Sequence, residues 1–220
     1  MDWFAPIDLY CERTAPGLFN EPFNALSNLA FVVAAALAAA RRPPRRDVFL
    51  WILIALVGLI AIGSTTFHMF ANRWSLIADI APITAFIYAF FLFAMLRFVA
   101  LAWVWSLAAT VLFFIASYAY VGALPAGLLN GSLGYAPALA ALAGLGAYLY
   151  AERFPAAPLL LAAAAIFLVS LTFRTIDLAV CACIPTGTHF IWHALNAVVL
   201  YLALLSAIRH GGLAARPTHA

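Results

Sequence analysis

The stretch "FLWILIALVGLIAIGSTTFHMF", residues 49–70, decides the fold. It is long enough to cross a bilayer as a helix, which takes about 20 mostly apolar residues. Near its end stand Ser64 and His68, which are four residues apart and therefore share one face of a helix. The stretch thus predicts a transmembrane helix that carries hydrogen-bonding groups at one end.

Six more apolar runs are long enough to cross a bilayer as helices, and only 9% of all residues are charged. Soluble domains carry about 25% charged residues, so the composition favours a membrane protein. The boundary between the third and fourth runs, at Val99 to Leu101, is the weakest, because Arg97 is its only charge. We predict an all-α membrane protein, a bundle of seven transmembrane helices at 24–40, 49–70, 77–98, 101–121, 134–151, 157–174 and 188–208.

The predicted spans divide the chain into an outer segment at 1–23, the helix bundle at 24–208 and a tail at 209–220. We expect no cleavable signal peptide, since the first residues lack a basic start followed by an apolar core. Seven is odd, so the termini lie on opposite sides of the membrane. Positive charge favours the cytoplasm, which places the C-terminus there and the N-terminus in a periplasm or lumen. The cytoplasmic arginines are Arg41, Arg42, Arg45, Arg46, Arg97, Arg153, Arg209 and Arg216, against Arg13, Arg73 and Arg174 outside.

Acidic residues collect on the outer side of this arrangement. They contribute little to topology, so their clustering needs another cause. One reading is ordinary loop solubility, and the other is a cation site. The outer set is Asp2, Asp8, Glu12, Glu21, Asp79 and Asp177, whereas Asp47 and Glu152 lie inside.

Three of the five histidines, His68, His189 and His193, come to the same membrane depth at the outer ends of their spans. His189 and His193 are four residues apart and share a helix face. Three histidines with an open fourth position form a catalytic zinc site, although hydrogen bonds between helices are the plainer explanation. His210 and His219 belong to the tail.

Ser64 and Asp79 also have two readings each. The Ser64 hydroxyl bonds either back to a carbonyl of its own helix or to a developing oxyanion beside the metal. Asp79 is either the N-cap of the third span or a group that transfers protons during catalysis.

Several motifs together resemble the alkaline ceramidases, a family of seven-span zinc-dependent membrane hydrolases related to adiponectin-type receptors and Per1-like lipid remodellers. They are "GSTTFH" at 63–68, "DIAP" at 79–82 and "HFIWH" at 189–193. The segments "YCERTAPGLFNEPFNALSN" at 10–28 and "RTIDLAVC" at 174–181 are also similar to that family.

The resemblance implies a zinc-dependent amidase that hydrolyses the N-acyl bond of ceramide, a linear amide, to a sphingoid base and a free fatty acid. His68, His189 and His193 would then hold zinc. Ser64 would stabilise the oxyanion, and Asp79 would transfer protons.

The resemblance also implies a calcium site in the outer segment, for which oxygen ligands are suited. The candidate ligands are Asp8, Glu12 and Glu21, with the Tyr10 carbonyl. The sequence departs from the family pattern here, because Asp8-Leu9-Tyr10-Cys11 replaces Asp-Trp-Cys and displaces the aspartate by one position.

The three cysteines, Cys11, Cys181 and Cys183, all fall on the outer side, where an oxidising compartment permits a disulfide. We expect Cys11 to pair with Cys181, which ties the outer segment to the loop before the last span. A Cys-x-Cys metal site is the alternative.

The expected partners are the lipid bilayer and a membrane lipid substrate, ceramide or a related N-acyl lipid, and not nucleic acid. Hydrolysis of another acylated lipid, ester or N-acyl, is an alternative. So is an adiponectin-type seven-span receptor with a structural zinc. A transporter fits less well, because the polar groups cluster at one face and trace no path across the membrane.

Overall fold

A computed structural model describes residues 2–41, 43–44, 46–125 and 127–212. Within them the chain forms helices and no strand, with a single isolated bridge between Pro6 and Asn72. Seven helical segments are long and apolar enough to cross a membrane, which confirms the predicted all-α bundle. The α-helices are α1 (Pro22–Ser27), α2 (Leu29–Ala40), α3 (Val48–Phe70), α4 (Arg73–Arg97), α5 (Trp103–Gly122), α6 (Ala136–Ala151), α7 (Ala157–Ile176) and α8 (His189–His210).

Two of the seven spans are composite. Helices α1 and α2 follow one another through Asn28 and form the first span, Pro22–Ala40. The segment Leu128–Tyr135, in which 3-10 turns are interrupted by left-handed residues at 129–131, leads directly into α6 and lengthens the fifth span to Leu128–Ala151. Arg42, Arg45, Arg216 and His219, which were assigned to the inner side, lie outside the described residues.

A tight joint separates α3 from α4. Ala71 adopts the left-handed conformation (φ 42°) and ends α3. Asn72 then caps α4: its Oδ1 accepts from the Ser75 amide at 3.1 Å, and the Ser75 hydroxyl accepts from the Asn72 amide at 3.1 Å. The N-cap reading of Asp79 is therefore wrong, because α4 begins six residues earlier and Asp79 lies within its second turn.

Helices α3 and α4 approach each other closely beside that joint. A Cβ at Gly63 would overlap the Ala78 carbonyl oxygen and lie 3.2 Å from the Asp79 Cα. Pro82 stands four residues after Ala78 and has no amide proton to donate to that carbonyl. Glycine and proline together thus let the carbonyl of one helix lie against the backbone of the other, which brings Ser64 next to Asp79.

Helices α7 and α8 run antiparallel in a fixed register. The Thr188 hydroxyl donates to the Phe173 carbonyl at 2.6 Å, and the Ser170 hydroxyl donates to the Trp192 carbonyl at 3.1 Å. The main apolar core lies towards the other end of the bundle, where Phe93, Phe98 and Leu204 are fully buried.

The N-terminal segment folds across the end of the bundle where α8 begins, here called the outer end. The Ile7 amide donates to the Ala71 carbonyl at 2.8 Å, and the Trp74 amide donates to the Trp3 carbonyl at 3.2 Å. A disulfide joins Cys11 to Cys181, the pair named from the sequence, with 5.5 Å between the Cα atoms. The segment is thereby attached to both the α3–α4 joint and the loop before α8.

Candidate metal centre

Three buried histidines meet at the outer end of the bundle. His68 ends α3, while His189 and His193 occupy the first two turns of α8. One ring nitrogen of each lies within 4.8 Å of the others, which is close enough for all three to bind one metal ion. The Nε2 atoms of His68 and His193 are 3.3 Å apart.

Hydrogen bonds fix which of these nitrogens carry protons. His68 Nδ1 lies 2.5 Å from Glu21 Oε2, and a carboxylate only accepts, so Nδ1 donates. The Ser27 hydroxyl donates its one proton to the Asn24 carbonyl at 2.7 Å and therefore accepts from His193 Nδ1, also at 2.7 Å. In the neutral state, His68 and His193 each direct an unprotonated Nε2 towards the other.

These residues fit a metal ion. Two lone pairs that face each other at this distance repel, and burial away from water strengthens the repulsion. A cation placed between the two Nε2 atoms attracts both lone pairs, so the repulsive interaction becomes an attractive one. His189 adds a ring whose Nδ1 is buried and has no hydrogen-bond partner among the described residues. Three such imidazoles, two of them oriented through Nδ1 by a carboxylate and a hydroxyl, form a donor set suited to a divalent transition metal.

Glu21 is fixed from three sides beneath the outer segment. Its Oε1 accepts from Arg13 Nε at 2.5 Å, and its Oε2 accepts from Asn24 Nδ2 at 3.1 Å as well as from His68. The Arg13 guanidinium also donates to the carbonyls of Gly17 and His68, at 3.2 and 3.0 Å. A buried arginine therefore balances the charge of the carboxylate that orients His68.

The carboxylates predicted to bind calcium do not converge on one point, and two of them have hydrogen-bond partners within the protein. Both Glu12 oxygens accept from the backbone amides of Phe23 and Asn24, at 2.7 and 2.9 Å, where α1 begins. Glu21 is bound to Arg13 and His68, and Asp8 is exposed. Among the described residues, the group close enough to hold a metal ion consists of the three histidines and includes none of these carboxylates. Calcium binding stays a prediction from the resemblance.

Tyr10 and Asp177 hold His189 from outside. The Tyr10 ring stacks on the His189 ring with centroids 3.6 Å apart, and burial raises the pKa of the Tyr10 phenol, which keeps it protonated. Asp177 Oδ1 accepts from the amides of Thr188 and His189, at 2.6 and 2.9 Å, and its Oδ2 accepts from the Cys11 amide at 2.9 Å. A buried carboxylate thus fixes the start of α8.

Ser64 and Asp79 complete the polar group. The Ser64 hydroxyl lies 3.5 Å from His193 Nε2, so it points at the histidines. The Asp79 carboxyl faces Ser64 and interacts electrostatically with His68. Its Oδ1 is buried and has no hydrogen-bond partner in the described part of the chain. An acceptor in that state is available to a substrate or to water.

A deep apolar cavity of about 1040 Å³, including its mouth, opens beside these groups. Its lining on α4 extends from Asp79 to Phe91, about 18 Å at 1.5 Å per residue. On α8 it extends from His189 to Ala203. Polar lining concentrates at the outer end, and the remainder is aliphatic and aromatic apart from Asn196.

The structure adds Arg174 to the site, a residue that the sequence identifies only as one of the outer arginines. Its guanidinium lines the cavity, lies 5.4 Å from the Tyr135 ring centroid and 5.8 Å from that of Trp192. Ser27 was likewise missed as the partner of His193. An arginine inside an apolar span is itself a signal, because a charge there is costly and usually functional.

Comparison with known protein families found no match, and comparison with curated proteins found none. The functional assignment therefore stands on the geometry of the site and on the motif resemblance described above.

Proposed function

We propose that this chain is a zinc-dependent intramembrane hydrolase that cleaves the N-acyl bond of a ceramide-like lipid. The observation that carries the proposal is that three histidines, Ser64 and Asp79 lie together at the polar end of a long apolar cavity. A bilayer lipid supplies an apolar chain for the cavity and an amide for the polar end.

His68, His189 and His193 would hold the ion, and their neutral rings suit zinc. When bound, zinc supplies Lewis-acid chemistry, polarising a carbonyl and making water more acidic. Asp79 accepts a proton from water at its unpartnered Oδ1 and returns one to the departing amine, so that the proton balance closes. The Ser64 hydroxyl donates to the oxygen of the scissile carbonyl as negative charge develops there.

The cavity aligns the substrate for this chemistry. An acyl chain that enters along α4 and α8 is surrounded by Phe86, Phe90 and Leu145, which exclude water. Its carbonyl then lies level with the histidines. The same arrangement of residues can also hydrolyse an ester, so amide and ester lipids must be compared directly.

The test measures fatty-acid release by the purified protein from C12-ceramide, a matched ester and phosphatidylcholine. We expect amide cleavage in proportion to bound zinc, loss of activity with a chelator and recovery when zinc is restored. Ser64→Ala lowers kcat by about a hundredfold, the usual cost of one oxyanion donor.

His193→Ala is the decisive variant, and His210→Ala is its matched control, because His210 lies on the same helix at the far end. We expect zinc and activity to be lost only in the first. Turnover that survives both His193→Ala and chelation would overturn the zinc mechanism. Release from the ester alone would overturn the amidase assignment.

A further inference from the structure

An unusual loop holds Arg174 in place. The guanidinium Nη1 donates to the Asn130 carbonyl and to the Ser132 hydroxyl, the latter at 3.2 Å, while Asn130 Nδ2 donates back to the Arg174 carbonyl at 3.1 Å. Three consecutive residues of this loop have positive φ: Leu129 (51°), Asn130 (53°) and Gly131 (70°). Asparagine and glycine adopt that conformation readily, but leucine rarely does, so Leu129 is strained, and such strain concentrates at functional sites.

The charge of Arg174 has no ion-pair partner among the described residues. Its other neighbours are the phenol of Tyr10, the rings of Tyr135 and Trp192, and the Asp79 carboxyl at longer range. An arginine beside an apolar cavity is costly unless an anion compensates it. Arginine is also the side chain best suited to bind carboxylate or phosphate with two parallel hydrogen bonds.

The position of Arg174 specifies which part of a substrate it meets. Its guanidinium bonds to Asn130 and Ser132 of the 128–135 segment at the outer end and lies over the Trp192 ring, at the polar end of the cavity that the histidines also line. The apolar cavity extends from the histidines away from the outer end. With the acyl chain in the cavity and the carbonyl at the histidines, Arg174 lies on the amine side of the scissile amide.

We propose that Arg174 is a specificity-determining residue that binds a carboxylate or phosphate carried by the amine portion of the lipid. The preferred substrates are then N-acyl lipids with an anionic head, such as N-acyl amino acids or phosphorylated N-acyl amino alcohols. This inference rests on the proposed function for its substrate class, and its binding test does not require hydrolysis.

The kinetic arm compares three lipids that share a C12 acyl amide: N-dodecanoylglycine, N-dodecanoylethanolamine and N-dodecanoylphosphoethanolamine. We expect an anionic lipid to exceed the neutral one in kcat/KM by at least tenfold. Arg174→Met should lower kcat/KM for that lipid about ten- to hundredfold and change the neutral one little. Arg174→Lys should recover part of the loss, because lysine keeps the positive charge but lacks the two parallel N–H donors of a guanidinium. Exposed Arg73, also at the outer end, provides the control Arg73→Met.

The binding arm uses thioethers that contain no amide, S-dodecyl thioglycolate and its neutral analogue S-dodecyl thioethanol. The anionic thioether should bind the metal-loaded protein more tightly, and Arg174→Met should abolish that preference. If no lipid is hydrolysed but this preference is found, the proposed function fails and the anion site stands. An equal loss for anionic and neutral compounds, or a preference unchanged in Arg174→Met, would overturn the inference. The better of the two anionic amides identifies carboxylate or phosphate as the ligand.

Discussion

At the scale of single residues, Glu21 connects the outer segment to the candidate metal centre. Burial alone would raise the pKa of its carboxyl, but hydrogen bonds from His68, Arg13 and Asn24 outweigh burial and lower the pKa below its ordinary value. Glu21 therefore stays ionised at neutral pH. A carboxylate on Nδ1 raises the basicity of the opposite nitrogen and fixes the ring orientation.

Replacing Glu21 by glutamine tests this role. The amide keeps the shape but loses the charge, so we expect zinc affinity to fall about 10- to 100-fold. Competition with a chelator of known affinity measures the change. Glu152→Gln, an exposed carboxylate at the other end of the bundle, should leave affinity unaltered. Equal affinities for Glu21→Gln and the unmodified protein would contradict the coupling between Glu21 and His68.

Some of these residues were predictable and others were not. His68, His189 and His193 were identified together because counting spans gives their depth in the membrane, and depth brings distant residues together. Glu21 was expected to bind calcium, and a sequence does not show that Arg13 folds back onto it. Partners such as Ser27 depend on helix rotation, which apolar runs without amphipathic periodicity leave undefined.

At the scale of helices, the contact between α3 and α4 determines the distance from Ser64 to Asp79. It depends on the absence of a side chain at Gly63, where an added Cβ would overlap the Ala78 carbonyl. The overlapping atoms are backbone, so no side-chain rotation relieves the contact, and the helices must separate.

Gly63→Ala should therefore destabilise the protein by about 1–3 kcal/mol, the usual cost of overpacking, and reduce turnover by separating the two residues. Gly58→Ala is the matched control, because it lies on the same helix and its added Cβ would meet nothing within 4 Å. Thermal unfolding in detergent compares them. A melting temperature for Gly63→Ala equal to that of Gly58→Ala would contradict this account of the helix contact.

The ends of the helices were harder to predict than their existence. Twenty apolar residues leave few alternatives to a spanning helix, so all seven were found. The predicted third span, 77–98, starts later than α4, because polar residues at 72–75 interrupt the apolar run although Asn72 and Ser75 form a capping box there. Asn130 and Gly131 are a local signal for a left-handed turn, whereas the hydrogen bonds of Asn130 to Arg174 join residues 44 positions apart, which local sequence does not encode.

At the scale of the whole molecule, the disulfide fastens the N-terminal segment over the three histidines of the candidate metal centre. Cys11 and Cys181 are 170 residues apart in the chain. Reduction should release the segment, change gel mobility and lower the melting temperature, and Cys11→Ser should abolish the response to reductant. Cys183→Ser is the control that keeps the response, since Cys183 is free and exposed. Identical mobility with and without reductant in the unmodified protein would contradict the prediction.

The arginine distribution predicts which way the molecule faces, and Cys183 can report it. A membrane-impermeant thiol reagent applied to intact cells or sealed vesicles should label Cys183 when the outer end faces the reagent. Glu152→Cys in a Cys183→Ser background should be labelled only after the membrane is opened. The reverse pattern would place the metal centre in the cytoplasm.

The separation of the site residues along the chain also has a consequence for biosynthesis. The ribosome delivers His68 early, whereas His189 and His193 arrive with the seventh span, and Cys181 shortly before them. The second span thus enters the membrane with a buried histidine that lacks its counterparts. A metal ion that needs all three histidines must wait for the last helix, and the disulfide must wait for Cys181, so a chain halted before residue 181 has neither.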